Sequence, residues 1–199
     1  MKNIFILFLS LTLFASCSNN HKTNQEAFQY SQKIYKITEE VGLKSKSLES
    51  VLIALTGKAM TKDIDSIDIS SFYDLKTELN KLTDKVIQEL NKLEEFDNQI
   101  KFKEIVLNEK ENYKKLINGK YIEYINIVIK QNDEIKNPKT YKLLLEIVET
   151  LIDNQEEIYL TQNKFAAKYN FEMESDKREE QKFIKYRKQL QQLKNSEPN

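Results

Sequence analysis

Residues 72–93 read FYDLKTELNKLTDKVIQELNKL, and this stretch decides the fold class. Apolar side chains recur there every three or four residues, with charged and amide side chains between them. That spacing places the apolar residues on one face of an α-helix, which must be buried against other elements. The apolar positions are Phe72, Leu75, Leu79, Leu82, Val86, Leu90 and Leu93.

Similar patterns of apolar residues, before and after residues 72–93, predict further helices with one apolar stripe each. Upstream, the pattern predicts a helix over about 27–57, in which Lys44 falls on the apolar face beside Gly42. A kink or a polar core site fits there, but a lysine that extends its amine outward is favoured. Downstream, the pattern breaks at Asp97–Gln99, which predicts a turn, and then predicts one helix over about 102–131.

The predicted helix boundaries rest on capping residues. Ser71, followed by Asp74, is a variant of the capping box that begins a helix. Asn137-Pro138 predicts the start of a fourth helix, because proline at the first helical position has no N–H to leave unpaired. That helix extends to about 169, and a shorter, more charged helix covers about 176–193.

The composition restricts the fold to the all-α class. The 199 residues include only 3 glycines and 2 prolines, too few for the many tight turns of sandwiches, barrels and Rossmann-like folds. One-sided helices of this length bury their stripes against each other. We therefore predict an antiparallel up-down bundle of about four long helices plus a shorter C-terminal helix. A long coiled-coil hairpin is the alternative, but the interruptions at Lys44 and Asp97 favour the closed bundle.

The N-terminus has the pattern of an export signal. A short positive start, Met1-Lys2-Asn3, precedes an apolar run over 4–14 that is too short to span a membrane. The run ends in Leu13-Phe14-Ala15-Ser16-Cys17, which resembles the bacterial lipobox, although that motif usually has leucine where Phe14 stands. The resemblance implies cleavage before Cys17 and lipidation of its sulfur. Cys17 is the only cysteine, so it cannot form an intramolecular disulfide, and lipidation gives it a role. The alternative is an ordinary secreted protein with a stray thiol.

This interpretation divides the chain into four parts. Residues 1–16 form the signal peptide, 17–24 the lipidated cysteine and a polar flexible tether, 25–194 the helical bundle and 195–199 a disordered tail. By analogy with Gram-negative lipoproteins, Ser18 directs the protein to the outer membrane. The predicted localisation is therefore the bacterial envelope, with the membrane as a partner through the lipid.

Several chemistries are excluded on composition. His21 is the only histidine and lies in the tether, so zinc sites and Cys/His or Ser/His/Asp catalysis lack their residues. Asp63-Ile64-Asp65 begins a loop that departs from the EF-hand pattern where that pattern requires glycine, and it is interpreted as an acidic linker. The mature chain has one net negative charge, since Lys2 is lost with the signal, and no global field attracts nucleic acid. We expect no catalytic residue, metal or cofactor.

Two features near the C-terminus are candidates for partner binding. Phe165, Tyr169 and Phe171 form the densest aromatic segment, although aromatic residues at helical spacing are more often core. The final helix could form a basic amphipathic surface for anionic lipid or wall polymer, although a solvated charged face is the alternative. Its basic candidates are Arg178, Lys182, Lys185, Arg187 and Lys188.

The whole pattern of lipobox, short tether and Lys/Glu-rich helices resembles helical cell-wall-binding-type lipoproteins. The resemblance implies a non-enzymatic envelope lipoprotein that binds or scaffolds a protein or a cell-wall polymer such as peptidoglycan. A second hypothesis is an immunity or inhibitor lipoprotein that neutralises a toxin in the periplasm. An enzyme is the third and would need a polar pocket that the sequence does not mark.

A substitution at the cysteine tests the lipobox. In the natural bacterial host, Cys17→Ser should abolish labelling of the protein by a fatty-acid analogue, because the thioether can form only on the sulfur. Retention of the label in this variant would contradict lipidation at Cys17.

Overall fold

The computed structural model describes residues 23–60, 69–130, 138–172 and 176–195. In these ranges the regular elements are all α-helices, so the prediction of an all-α protein is confirmed. The acidic segment at 63–68, which was compared with the EF-hand pattern, and the predicted N-cap residue Asn137 lie outside the described residues. The helices are α1 (Asn24–Met60), α2 (Ser70–Asn91), α3 (Phe102–Asn118), α4 (Lys120–Lys130), α5 (Pro138–Lys168) and α6 (Asp176–Asn195).

Helix α1 begins with a capping box that the sequence analysis missed. The hydroxyl oxygen of Thr23 accepts a hydrogen bond from the N–H of Glu26 (3.1 Å), and the Glu26 carboxylate accepts one from the N–H of Thr23 (2.7 Å). The helix passes Gly42 without interruption and continues to Met60, beyond its predicted end. Lys44 extends outward to an ion pair with Glu78 of α2 at 2.8 Å, as favoured from the sequence.

Helix α2 starts differently from the prediction. Ile69 is the N-cap residue and makes no side-chain capping hydrogen bond. The carbonyl oxygen of Ile69 instead accepts hydrogen bonds from the N–H groups of Phe72 (3.2 Å) and Tyr73 (3.3 Å). The predicted N-cap at Ser71 is therefore wrong. The helix starts two residues earlier than predicted, and the half-buried N-cap residue Ile69 packs against the core.

The predicted single helix over 102–131 is divided at Gly119. Its backbone dihedrals of −109° and −90° are not helical, and they separate α3 from α4. A Cβ at this position would lie 3.1 Å from the carbonyl oxygen of Lys115, a tighter contact than most Cβ atoms make. Glycine without a side chain accommodates the break. By contrast, the predicted turn at Asp97–Gln99 and the helix start at Pro138 are confirmed.

Helices α1 to α5 share one apolar core. Along the chain, α1 packs on α2, α2 on α3, and both α3 and α4 on α5, while α1 also contacts α4 and α5. Helix α6 packs mainly on α5, where Leu190 forms a small separate cluster with Leu145 and Ile152. The C-terminal helix is therefore attached to one side of the five-helix core. Fully buried side chains of that core include Leu48, Phe72, Leu79, Leu90, Ile117, Tyr121, Tyr124, Ile125, Ile147 and Phe165.

A matched pair of leucine substitutions tests this core. Leu79 is 0% exposed, whereas Leu43 on the outer side of α1 is 62% exposed. Leu79→Ala should lower the free energy of unfolding by about 2–5 kcal/mol, because it removes buried apolar area and leaves a cavity. Leu43→Ala should change it by less than about 0.5 kcal/mol. Urea denaturation of both variants measures the difference, and equal effects would contradict the described packing.

Candidate functional site

An aromatic cluster closes one end of the bundle, with Phe165 of α5 at its centre. The centroid of the Phe165 ring lies 4.9 Å from that of Tyr169, 5.5 Å from Phe102, 5.6 Å from Phe96 and 6.0 Å from Tyr30. Offset and edge-on aromatic pairs at these separations add stability beyond the area they bury. Phe165 is 0% exposed and is a core residue, the alternative that the helical spacing favoured, and its part in partner binding stays a prediction.

Helix α5 ends in a tight turn. Asn170 has a positive φ of 50°, a conformation that asparagine tolerates better than most residues. The N–H of Phe171 donates to the carbonyl oxygen of Ala166 at 3.1 Å, as in a Schellman motif. This turn brings the half-buried Phe171 against Phe165 (6.0 Å) and against Phe28 of α1 (5.7 Å, edge-on). Phe171 therefore packs the end of α5 against the start of α1.

Asp97 fixes the turn between α2 and α3 to the end of α5. One carboxylate oxygen accepts hydrogen bonds from the N–H groups of Gln99 (2.8 Å) and Ile100 (3.2 Å). The other accepts one from the Tyr169 hydroxyl (3.0 Å) and lies 2.5 Å from the Lys168 amine. Asp97 is 5% exposed, so its charge is buried with four partners around it.

The pKa values follow from this arrangement. Burial favours a higher pKa for Asp97, but the hydrogen bonds from Lys168, from the backbone and from Tyr169 outweigh burial and lower its pKa to about 2. Burial, together with the hydrogen bond to the Asp97 carboxylate, raises the pKa of Tyr169 to about 12. Tyr169 is therefore a protonated donor at neutral pH, with a structural role.

The basic residues of the final helix fall into two groups. Arg187 is half-buried and faces α5, where it lies 2.6 Å from Asp153 and its Nε donates to Glu156 at 2.9 Å. The hydrogen bond to Glu156 raises the pKa of Arg187. Arg187 therefore attaches α6 to α5, and its role in partner binding stays a prediction. The amines of Lys182, Lys185 and Lys188 are on exposed side chains, and the side chain of Arg178 lies outside the described part.

A groove of about 490 Å³ runs beside α6. Its lining combines the apolar side chains of Ile100, Ile105 and Leu160 with the charged groups of Glu157, Lys164 and Arg187. Leu160 is 49% exposed at this position. An accessible apolar floor with charged groups around it can hold an apolar side chain of a partner. The groove could not be predicted from the sequence because its walls come from α3, α5, α6 and the turn before α3.

A second groove of about 490 Å³ lies at the break between α3 and α4. It is lined by Asn118, Ile122, Asn126, Ile127 and Lys139, among others. Gly119 at the break is part of the lining, beside the half-buried Ile122 and Ile127 of α4. This groove is a second concave surface, also formed by a feature that helical periodicity does not reveal.

The core contains a polar cluster between α1, α3 and α4. Among the described residues, the hydroxyl groups of Tyr113 and Tyr121 are buried and find no hydrogen-bond partner of normal geometry. The carboxyl group of the half-buried Glu49 opposes the ionisation of both hydroxyls. Burial raises the pKa of both tyrosines and of Glu49. Both hydroxyls therefore remain protonated at neutral pH and do not act as bases.

No family model, no curated protein and no solved structure matches the chain. Among the described residues, no group of His, Cys, Asp and Glu side chains is arranged to hold a metal ion. None of the described helices combines the length and apolar character needed to cross a membrane.

The Asp97 cluster makes a pH-dependent prediction. Because the pKa of Asp97 is lowered on folding, its contribution to stability is complete above the unfolded value of 3.8 and is lost as the pH falls towards about 2. Asp97→Asn should cost about 2 kcal/mol at pH 7 and should flatten the decline of stability between pH 5 and pH 2. Urea denaturation across this range measures both. Parallel curves for the natural chain and the variant would contradict the lowered pKa.

Proposed function

We propose that the protein is a lipid-anchored lipoprotein of the bacterial envelope, whose helical domain is a non-enzymatic binding module for a protein or a cell-wall polymer. The observation that carries the proposal is the apolar run ending at the lone Cys17, followed closely by the capped start of α1 at Thr23. Residues 18–22 span less than about 20 Å even when fully extended. A domain tethered this closely works at the membrane surface. Ser18 favours the outer membrane in a Gram-negative envelope.

We also infer that the helices form an antiparallel up-down bundle. Between neighbouring helices, the residue numbers of successive contacts rise along one helix while they fall along the other. This is the pattern of antiparallel packing. Thus Tyr30 of α1 donates to the carbonyl oxygen of Glu94, just after α2, while Lys44 pairs with Glu78. The same order holds for Asn80 with Asn118, Asp84 with Lys114, Phe102 with Phe165, Lys120 with Glu146, Tyr141 with Leu193 and Arg187 with Glu156.

Binding is favoured over catalysis by the roles of the charged groups. The buried carboxylate of Asp97 is held by four partners in a structural cluster. Arg187 is engaged by Asp153 and Glu156 in attaching α6. These charged groups join neighbouring elements of the bundle, which is a structural role. The groove beside α6, in contrast, presents the accessible apolar side chain of Leu160, which suits contact with a partner.

Partner capture with two matched variants tests the proposal. A chain beginning at Ser18, with Cys17 removed, is crosslinked in envelope extract containing sacculi. Leu160→Ser changes the groove, whereas Ile53→Ser changes an apolar residue of α1 that is 72% exposed. Leu160→Ser should weaken capture about tenfold, the effect of losing about 1.4 kcal/mol of contact, and Ile53→Ser should leave it unchanged.

The retained material distinguishes the partner classes. A single stoichiometric protein would favour a scaffold or an immunity lipoprotein, and retention on sacculi alone would favour wall binding. If neither protein nor sacculi are retained, the binding function is contradicted. If both variants bind as well as the natural chain, the groove is not the contact surface.

A further inference from the structure

The cations of α6 divide between the two sides of the helix. Arg187 and Lys194 face α5 and pair with its carboxylates, the latter at 2.6 Å from Glu149. Phe183 and Leu190 are buried on the same side. These contacts use the inner side of α6 to attach it to the bundle, and they leave its outer side directed to solvent.

The outer side is basic with apolar residues at its edges. Lys182, Lys185 and Lys188 recur every three residues and are exposed. Ile184 is 63% exposed and Tyr186 is 41% exposed beside them. Helix α6 contains seven lysines and arginines against three acidic residues, Asp176, Glu179 and Glu180. Clustered lysines attract the anionic headgroups of a membrane surface.

The start of α6 lies near the start of α1. Phe28, near the start of α1, contacts Phe171, so the start of α1 and the end of α5 lie at the same end of the bundle. Asp176, at the start of α6, is separated from Phe171 by a chain that spans less than about 20 Å. The basic helix and the helix to which the tether is joined therefore both start close to that end.

We propose that the outer side of α6 binds the anionic headgroups of the membrane in which Cys17 is anchored. This inference rests on the lipid anchor of the proposed function. Lysines near an anionic surface each strengthen binding about fivefold. Lipid is favoured over wall polymer because the short tether holds α6 near the membrane. Contact along α6 lays the bundle against the bilayer and leaves the opposite helices accessible.

Two single-tryptophan variants measure the contact, because the natural chain has no tryptophan. Tyr186→Trp reports on α6, and Tyr73→Trp reports on α2 from a residue of similar exposure, 38% against 41%. The full lipidated protein, purified from its membrane, is reconstituted into vesicles of phosphatidylcholine with or without phosphatidylglycerol. Flotation measures anchoring, and quenching by acrylamide measures access to each fluorophore.

In vesicles with phosphatidylglycerol, Y186W fluorescence should be protected from acrylamide, and raising the salt to 1 M should reduce the protection because the Debye length falls to about 3 Å. Adding K182Q/K185Q/K188Q should weaken docking about 100-fold and restore quenching. A control variant, K81Q/K85Q/K92Q, removes the same charge from exposed lysines of and after α2 and should leave the protection intact.

The outcomes separate the two proposals. Failure to float with either vesicle would contradict the lipid anchor. Flotation with equal quenching of Y186W in both vesicle types would overturn docking by α6 while leaving the anchor in place. Protection that appears only after sacculi or an envelope protein is added would also overturn it, in favour of that partner. Circular dichroism of the lysine variants establishes that the helices remain folded.

Discussion

The structure depends on the buried carboxylate of Asp97 and the aromatic cluster beside it. Three separate parts of the chain meet there: the start of α1, the turn before α3 and the end of α5. A buried charge is unfavourable unless it is paired and hydrogen-bonded. The backbone of the turn and the side chains of Lys168 and Tyr169 satisfy this requirement together, so the turn and α5 are fixed relative to each other.

The apolar stripes then complete the bundle. Each long helix has one apolar side and gains most of its stability from burying that side against its neighbours. Helix α6 is held on α5 by a smaller apolar cluster and by ion pairs. Its attachment to one helix leaves a groove beside it and a basic outer side, and both candidate interaction surfaces result from that attachment.

Much of the fold could be predicted because helical periodicity is a local signal. The stripe over 72–93, the turn at Asp97 and the start at Pro138 all depend on neighbouring residues. The start of α2 at Ser70 could not be predicted, since packing of Ile69 accompanies it in place of a side-chain cap. The break at Gly119 was missed because the apolar spacing continues across it and only the backbone dihedrals reveal it.

The candidate sites were predicted less well because they depend on contacts between distant residues. Phe165 belongs to an aromatic segment in the sequence, but its burial depends on Phe96, Phe102 and Tyr30 from other helices. In the sequence, Arg187 cannot be distinguished from its neighbouring lysines. Only the fold shows that it contacts Asp153 and Glu156 of α5. The lysines at 182, 185 and 188 are exposed, which follows from their regular spacing along the helix, and the partner that they bind stays a prediction.

The proposed anchoring of the helical domain by a lipid on Cys17 can be measured at the N-terminus of the protein. Intact-mass and N-terminal fragment analysis of the protein isolated from the natural bacterial envelope tests this anchoring. We expect a chain that begins at Cys17 and carries the added mass of a diacylglyceryl group, with or without a further acyl chain on the amine. An unmodified chain, or one that begins at Met1 or at a residue after Cys17, would contradict it.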